Sequence, residues 1–281
     1  MTRDEVAKLS ILAGFEHLDA LLKLARPAVA LEPRKRARGG VLTSRLGGLP
    51  AMPAGAAWPT RNGKSLPFVA QIALEEMPSA MQREGFPKSG ILSFFYDAEL
   101  GPWGFEPEDA GSSAVLYAPD PRAAVMPLEW PRDMPAACKY PVCRLVPEET
   151  ITIPPWESVV IDEMKLSPAE VDRYVEIADK WTSIQAWANR SLLGGYPDQI
   201  QSDMMMQSEL VSTGVTEDLR QDPRLPFFKR RAMRWRHLFQ LQSYEPLGMN
   251  WGDAGCLYYW LRESDLVEQN FGAGWMILQC G

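Results

Sequence analysis

LGGLP (Leu46 to Pro50) precedes VAQIAL (Val69 to Leu74) and GILSFFYD (Gly90 to Asp97); much later, LGGYP (Leu193 to Pro197) precedes LFQLQS (Leu238 to Ser243) and GCLYYWLR (Gly255 to Arg262). The two series keep the same order, and Gln71 to Gly90 and Gln240 to Gly255 are similar separations. A rival pairing of WGFEPEDAG (Trp103 to Gly111) with WGDAG (Trp251 to Gly255) preserves less of that order. Self-similarity in fixed order is the mark of a duplicated unit. Each half would supply a Gly-Gly-Pro turn, a glutamine-bearing strand and an aromatic strand. Neither set makes an obvious core alone, whereas two such sets packed together close one. The expected fold is therefore mostly β (α+β), with internally duplicated β-sheet halves packed on each other.

Composition agrees with that expectation. Ten Trp and 24 Pro in 281 residues imply short strands joined by many turns, because proline is kept out of helix interiors and central strands. A chain of this length buries roughly three quarters of its unfolded surface and needs neither disulfide nor metal to fold. Further strands are expected at Ser113 to Tyr117 and Trp275 to Cys280. Trp130 to Pro155, with six prolines, reads as an irregular connector, and Ile200 to Pro226 as a polar, Met-rich loop with helical turns. Val6, Leu9, Leu12, Phe15, Leu18, Leu21 and Leu22 trace an N-terminal amphipathic helix that Pro27 stops. A long central helix is expected from Ser167 to Leu193. Ser167 caps it, Pro168 and Glu170 follow in a capping-box pattern, and Gly194-Gly195 end it. Val171, Tyr174, Ala178, Trp181, Ala188 and Leu192 line one side of that helix, which would bridge the halves. The domain reading is an N-terminal helix and basic linker (1–37), then one domain (38–281) of two pseudo-repeats, 38–165 and 166–281.

At these residues the chain resembles the YwqG-like family, a bacterial domain of unknown function. GGLPAMPAGAAWP (Gly47 to Pro59), LPFVAQIAL (Leu66 to Leu74), GILSFFY, LLGGYPDQIQ (Leu192 to Gln201), LFQLQS, MNWGDAGCLYYW (Met249 to Trp260) and WMILQCG (Trp275 to Gly281) carry the resemblance. It spans roughly Arg38 to the C-terminus. The resemblance implies a mostly β, duplicated fold with flanking helices and brings no catalytic residues. The association of some members with bacterial secreted-toxin systems hints at immunity or partner binding.

Several chemistries lack their residues. The only histidines, His17 and His237, neighbour no G-x-S-x-G nucleophile motif. Gly47-Gly48 and Gly194-Gly195 lack the lysine of a phosphate loop and read as tight turns. Cys138 and Cys143 lie at a possible metal spacing, but no second close pair follows, so no metal or cofactor is expected. The dispersed acids fix no glycosidase pair. The net charge of −7 speaks against general nucleic-acid binding. Two basic runs, Arg34-Lys35-Arg36 with Arg38 and Lys229-Arg230-Arg231 with Arg234 and Arg236, are solvated surface or an acidic-partner site. No apolar stretch approaches a membrane span and no secretion signal is evident, which makes the cytoplasm the expected location.

The candidate ligand or partner residues are Trp251, Asp253, Gln71, Gln240 and Trp58. Asp253 in WGDAG either bonds its own turn or offers a carboxylate beside Trp251; Asp198, after Gly195-Tyr196-Pro197, is a weaker case of the same kind. Gln71, Gln240 and Gln279 sit in apolar strands. They either satisfy irregular backbone at the seam between the halves or line a polar cleft, since a buried amide left unpaired costs ~1–3 kcal/mol. The expected function is a non-enzymatic protein-binding module, an immunity or antitoxin-type partner of another protein such as a toxin. The alternative is an enzyme or small-ligand binder using a cleft around Asp253 and Trp251. A concave pocket holding a carboxylate of perturbed pKa would favour the latter class, and a flat exposed patch the former.

Overall fold

The computed structural model describes residues 2–34, 40–185 and 191–281. Lys35, Arg36 and Arg38 of the first basic run, Ala188, and the side chain of Trp181 lie outside the described residues. The chain begins with α1 (Arg3–Leu12), α2 (Leu18–Leu24), β1 (Arg26–Arg34), β2 (Arg45–Leu46) and a small hairpin of β3 (Thr60–Arg61) and β4 (Lys64–Ser65). It continues with β5 (Phe68–Ala73), α3 (Ala80–Arg83), β6 (Ile91–Tyr96), β7 (Ser113–Ala118), β8 (Cys143–Thr152), α4 (Val159–Asp162) and α5 (Pro168–Gln185). The last part holds β9 (Ser191–Gly194), α6 (Met204–Ser212), α7 (Leu225–Ala232), β10 (Trp235–Gln242), β11 (Cys256–Arg262), α8 (Glu263–Val267) and β12 (Trp275–Gln279).

Ten strands form one sheet in the order β12-β11-β10-β9-β1-β8-β2-β5-β6-β7, antiparallel throughout. A sheet this wide cannot stay flat, because strand twist accumulates and curls it. The curl brings its two arms face to face. Phe94 of β6 lies 4.5 Å from Phe239 of β10 and 5.0 Å from Tyr259 of β11, ring centroid to centroid. The Tyr259 hydroxyl donates to the Phe95 carbonyl at 3.2 Å. The outer edge of β12 is met by the loop after β6: Leu278 N–H donates to Trp103 O at 2.9 Å and Trp275 Nε1 to Gly104 O at 2.9 Å. A side chain at Gly104 would collide with the Met276 carbonyl, so the near-closure of the sheet depends on a glycine there.

Alternation along the strands sorts the core. Leu257, Tyr259 and Leu261 of β11 face inward with Phe94, Trp251 and Leu278. Cys256, Tyr258 and Trp260 face outward beneath Met204, Met205 and Ala232 of α6 and α7. The helices α1, α2 and α5 share a separate cluster built on Val6, Phe15, Leu21, Tyr174 and Ile177. Among the described residues no helix is long and apolar enough to cross a membrane, and no group of three or more His, Cys, Asp or Glu side chains could hold a metal ion.

Six of the expected strands fall where the sequence placed them: β5, β6, β7, β10, β11 and β12. Three expectations are corrected. The single N-terminal helix is two, broken at Gly14, whose φ of 65° a helix does not accept. The long helix does not reach Leu193: it ends at Gln185 within the described residues, and Ser191–Gly194 is the strand β9, buried between β1 and β10. Gly194 and Gly195 turn the chain out of a strand, at φ 68° and 66°, as Gly47 and Gly48 do after β2 at 58° and 74°. The connector is not irregular at its end, because β8 pairs with β1 over nine residues in mid-sheet.

Prolines hid this central pair. Pro27 and Pro33 in β1 and Pro147 in β8 stand opposite Ile151, Leu145 and Leu31. In this register the N–H of Leu145 turns away from β1, toward the Ser44 carbonyl. The N–H groups that the prolines lack would likewise face outward. There β9 reaches only Ala28 to Leu31 and β2 only Cys143 and Arg144. No ladder bond is forfeited, and the usual exclusion of proline from central strands does not apply.

Candidate functional site

The site grows out of the turn that follows β9. Gly195 packs so closely that a Cβ would lie 2.3 Å from Thr152 Oγ1 and 2.7 Å from Ala28 Cβ, so only glycine fits. Thr152 Oγ1 accepts the Tyr196 N–H at 2.7 Å. Three residues past Gly195, Asp198 is clamped by its backbone: its N–H donates to Gln240 Oε1 at 2.9 Å and its carbonyl accepts from the Tyr258 hydroxyl at 2.6 Å. Gln279 continues the clamp, its Oε1 accepting the N–H groups of Ile200 and Gln201 at 3.0 Å each and its Nε2 donating to Ser202 O at 2.9 Å. Side chains from four strands thus hold an otherwise irregular segment, 196–202, in one conformation.

The turn after β2 has the same build. Ala51, three residues past Gly48, donates its N–H to Gln71 Oε1 at 2.9 Å and accepts from Ser93 Oγ at 2.7 Å. Ala51 is buried. The clamp is therefore a structural device of both turns, and the aspartate is what sets the second apart.

Asp198 opens into a cleft of about 810 Å3, walled by Thr152, Pro154, Trp156, Tyr196, Pro197 and Ile200. Trp156 and Ile200 are each 43% exposed, unusually so for large apolar side chains at a concave site. Glu157 and Asp179 stand at the same cleft, and no lysine or arginine lines it among the described residues. The Asp198 carboxylate accepts no hydrogen bond from the described residues, and burial pushes its pKa up from 3.8 to about 6. A half-buried carboxylate without a cation partner, in a cleft of water-accessible size, is the pattern that marks functional sites.

That shift gives a stability prediction. With its folded-state pKa raised, Asp198 binds its proton more tightly folded than unfolded. Its favourable contribution is complete below about pH 4 and lost as pH rises through 6. Asp198→Asn, which keeps both backbone clamps, should unfold at a higher denaturant concentration than wild type at pH 7.5, by on the order of 2 kcal/mol. The difference should fade by pH 4. Equal midpoints at both pH values would show that the carboxylate is not desolvated.

The other candidate residues are dispersed. Gln240 stands behind Asp198, and Gln71 holds the first turn. Trp251 is 2% exposed, edge-on to Tyr96 at 5.7 Å and Tyr140 at 6.1 Å, and its indole N–H has no hydrogen-bond partner among the described residues. It borders a smaller cleft of about 210 Å3 shared with Tyr96 and Trp103, while Asp253 lies exposed on the turn beyond. Trp58 covers the outer face of the first arm, against Phe95 and Trp130, and donates Nε1 to Leu66 O at 2.8 Å. His237 is buried, with Nδ1 3.0 Å from the Gly194 carbonyl; burial draws its pKa down to about 4. The second basic run is largely paired: Lys229 with Asp162, Arg231 with Glu209, and Arg234 and Arg236 with Glu263.

Sequence reasoning missed Trp156 and Ile200. Trp156 falls just past the stretch read as connector and Ile200 at the start of the one read as a polar loop, and only the Asp-bearing turn between them signalled a site. A family model described as a domain of unknown function (DUF1963) matches residues 44–280. No curated protein matches the chain. The match covers β2 through β12 and both clamped turns, and the chain belongs to this family of unknown function.

Proposed function

We propose that the chain is a non-enzymatic binding protein that takes a lysine- or arginine-bearing segment of another protein into the Asp198 cleft. One observation carries this: the Asp198 carboxylate between the exposed Trp156 and Ile200, with Glu157 at the same cleft and no lysine or arginine lining it among the described residues. A cationic side chain would neutralise Asp198, and its aliphatic stem would lie on Trp156 and Ile200. The net charge of −7 would steer a basic partner toward it. This reading keeps the protein-binding class and moves its site. It departs from the expectation that a concave pocket with a perturbed carboxylate favours an enzyme or small-ligand binder, on the strength of the exposed apolar surface that Trp156 and Ile200 offer a partner. A bacterial, cytoplasmic, YwqG-like immunity or antitoxin protein is the setting we propose for it.

The test is titration of tryptophan fluorescence with Lys- and Arg-bearing peptides at pH 7.5. Binding should weaken about tenfold or more in Asp198→Asn and in Trp156→Ala. It should also weaken below pH 6, where Asp198 takes up its proton. Peptides that bind Asp198→Asn as tightly as wild type would refute the reading. A second reading places a small ligand, or a reaction, in the cleft beside Trp251 and Asp253, favoured by the unpartnered Trp251 indole N–H. There Asp253→Asn would abolish a measurable turnover or ligand affinity and leave peptide binding intact.

We also propose that the two arms descend from one duplicated unit. Support comes from the paired clamps, Gln71 with Ser93 on Ala51 and Gln240 with Tyr258 on Asp198, and from the mirrored strand order about β1 and β8. The units would begin one strand before residues 38 and 166, at β1 and β8, and each first strand would lie in the other unit's arm.

A further inference from the structure

On the other side of the Tyr196 turn lies a site of opposite charge. Arg26 opens β1, and its guanidinium stacks over the Tyr196 ring, 4.6 Å from the centroid. Stacking leaves the N–H groups in the guanidinium plane unused, and Arg26 has no ion pair and no side-chain hydrogen bond among the described residues. Two adjoining clefts, of about 420 and 360 Å3, share Arg26, Arg83 and Glu84 as walls. Five basic residues against three acidic ones line the pair, so the local charge is positive on a chain whose net charge is negative.

No acid pairs directly with Arg26 among the described residues, Glu84 and Glu263 acting on it only at longer range. Glu263 bonds Arg236 at 2.9 Å and reaches Arg234 at 3.8 Å. Glu84 lies beyond ion-pair distance of both Arg26 and Arg83 within the described structure. Arg83 is exposed on α3 and has no ion pair among the described residues. A partly desolvated guanidinium with unsatisfied donors is costly, and its planar fork matches the two oxygens of a carboxylate or phosphate.

We propose that this cleft binds a small oxyanion, a carboxylate or phosphate group, in the fork of Arg26, with Arg83 closing over it. The stacking on Tyr196 fixes the fork's orientation before the ligand arrives, so little ordering is needed on binding. Because Tyr196 also walls the Asp198 cleft, the two sites flank one clamped turn.

Calorimetric titration with inorganic phosphate and, separately, with succinate at constant ionic strength tests the proposal. At least one should bind saturably, and which one does identifies the anion class. Affinity should fall about tenfold or more in Arg83→Gln, a surface change that leaves folding alone, and in Arg26→Gln. Arg26→Lys, which keeps the charge without the planar fork, should also bind more weakly. Arg230→Gln, a basic residue outside the clefts, should bind like wild type. Asp198→Asn should leave anion binding unchanged while weakening cationic peptides, which separates this site from the one proposed above. Failure of both anions to bind, or binding that Arg26→Gln and Arg83→Gln leave intact, would overturn it.

Discussion

Glu209→Ala should lower the unfolding free energy by about 3–5 kcal/mol, the usual cost of removing one partner of a buried ion pair. Glu209 is fully buried in α6, on the outer face of the second arm. Its carboxylate receives Arg231 on one oxygen, and Arg262 at 2.6 Å and Trp235 Nε1 at 3.0 Å on the other. These three donors come from α7, β11 and β10, so a single side chain ties α6 and α7 to the sheet. The truncation strands the indole N–H of Trp235, itself 2% exposed, beneath the Arg262 guanidinium that stacks 4.5 Å from its centroid. Urea denaturation followed by tryptophan fluorescence measures the loss. Glu209→Gln, which keeps an acceptor and discards the charge, should fall between wild type and alanine. A loss under about 1 kcal/mol for the alanine variant would mean that water replaces the carboxylate.

A comparable loss, about 3–5 kcal/mol, is expected for Gln71→Ala. The Gln71 amide is fully buried. Its Oε1 accepts from Ala51 N–H at 2.9 Å and Arg45 Nη2 at 3.3 Å, and its Nε2 donates to Thr43 O at 2.9 Å and Val41 O at 3.1 Å. Loss of the amide leaves the buried Ala51 N–H and the partly buried Val41 and Thr43 carbonyls, on the two sides of the Gly47-Gly48 turn, without this partner. Gln71→Met fills the same space without the polar atoms and isolates the hydrogen-bonding share, which should be most of the effect. Were Gln71 instead a ligand-facing group in a polar cleft, both variants would unfold close to wild type, and that result would restore the cleft reading for this residue.

The glutamines show how far a sequence carries. An amide inside an apolar strand must find partners, so Gln71, Gln240 and Gln279 could be recognised before any fold was known as tied either to irregular backbone or to a polar cleft. That Gln240 serves a turn ending in Asp198, and Gln71 one ending in Ala51, follows from which loop each strand meets. The aspartate gains its raised pKa only through burial, a property that no single position carries.

The features legible from residue order are local: period-two strands with aromatic faces, Gly-Gly turns at positive φ, and the start of α5 at Ser167, whose N–H and hydroxyl both donate to Glu170 at 2.7 Å. These depend on neighbours a few residues apart, and β5, β6, β10 and β11 were legible for that reason. Tertiary structure alone decided the centre of the sheet and the site. In β1 and β8 the prolines argue against a strand, until the neighbouring strands end short of them. Ser191–Gly194 continues a helical pattern but pairs as β9, because burying Leu192 and Leu193 between two strands outweighs helix propensity. Trp156 follows β8 whereas Asp198 and Ile200 lie in the segment after β9, and the clamp of two strand glutamines holds that segment at the cleft Trp156 shares.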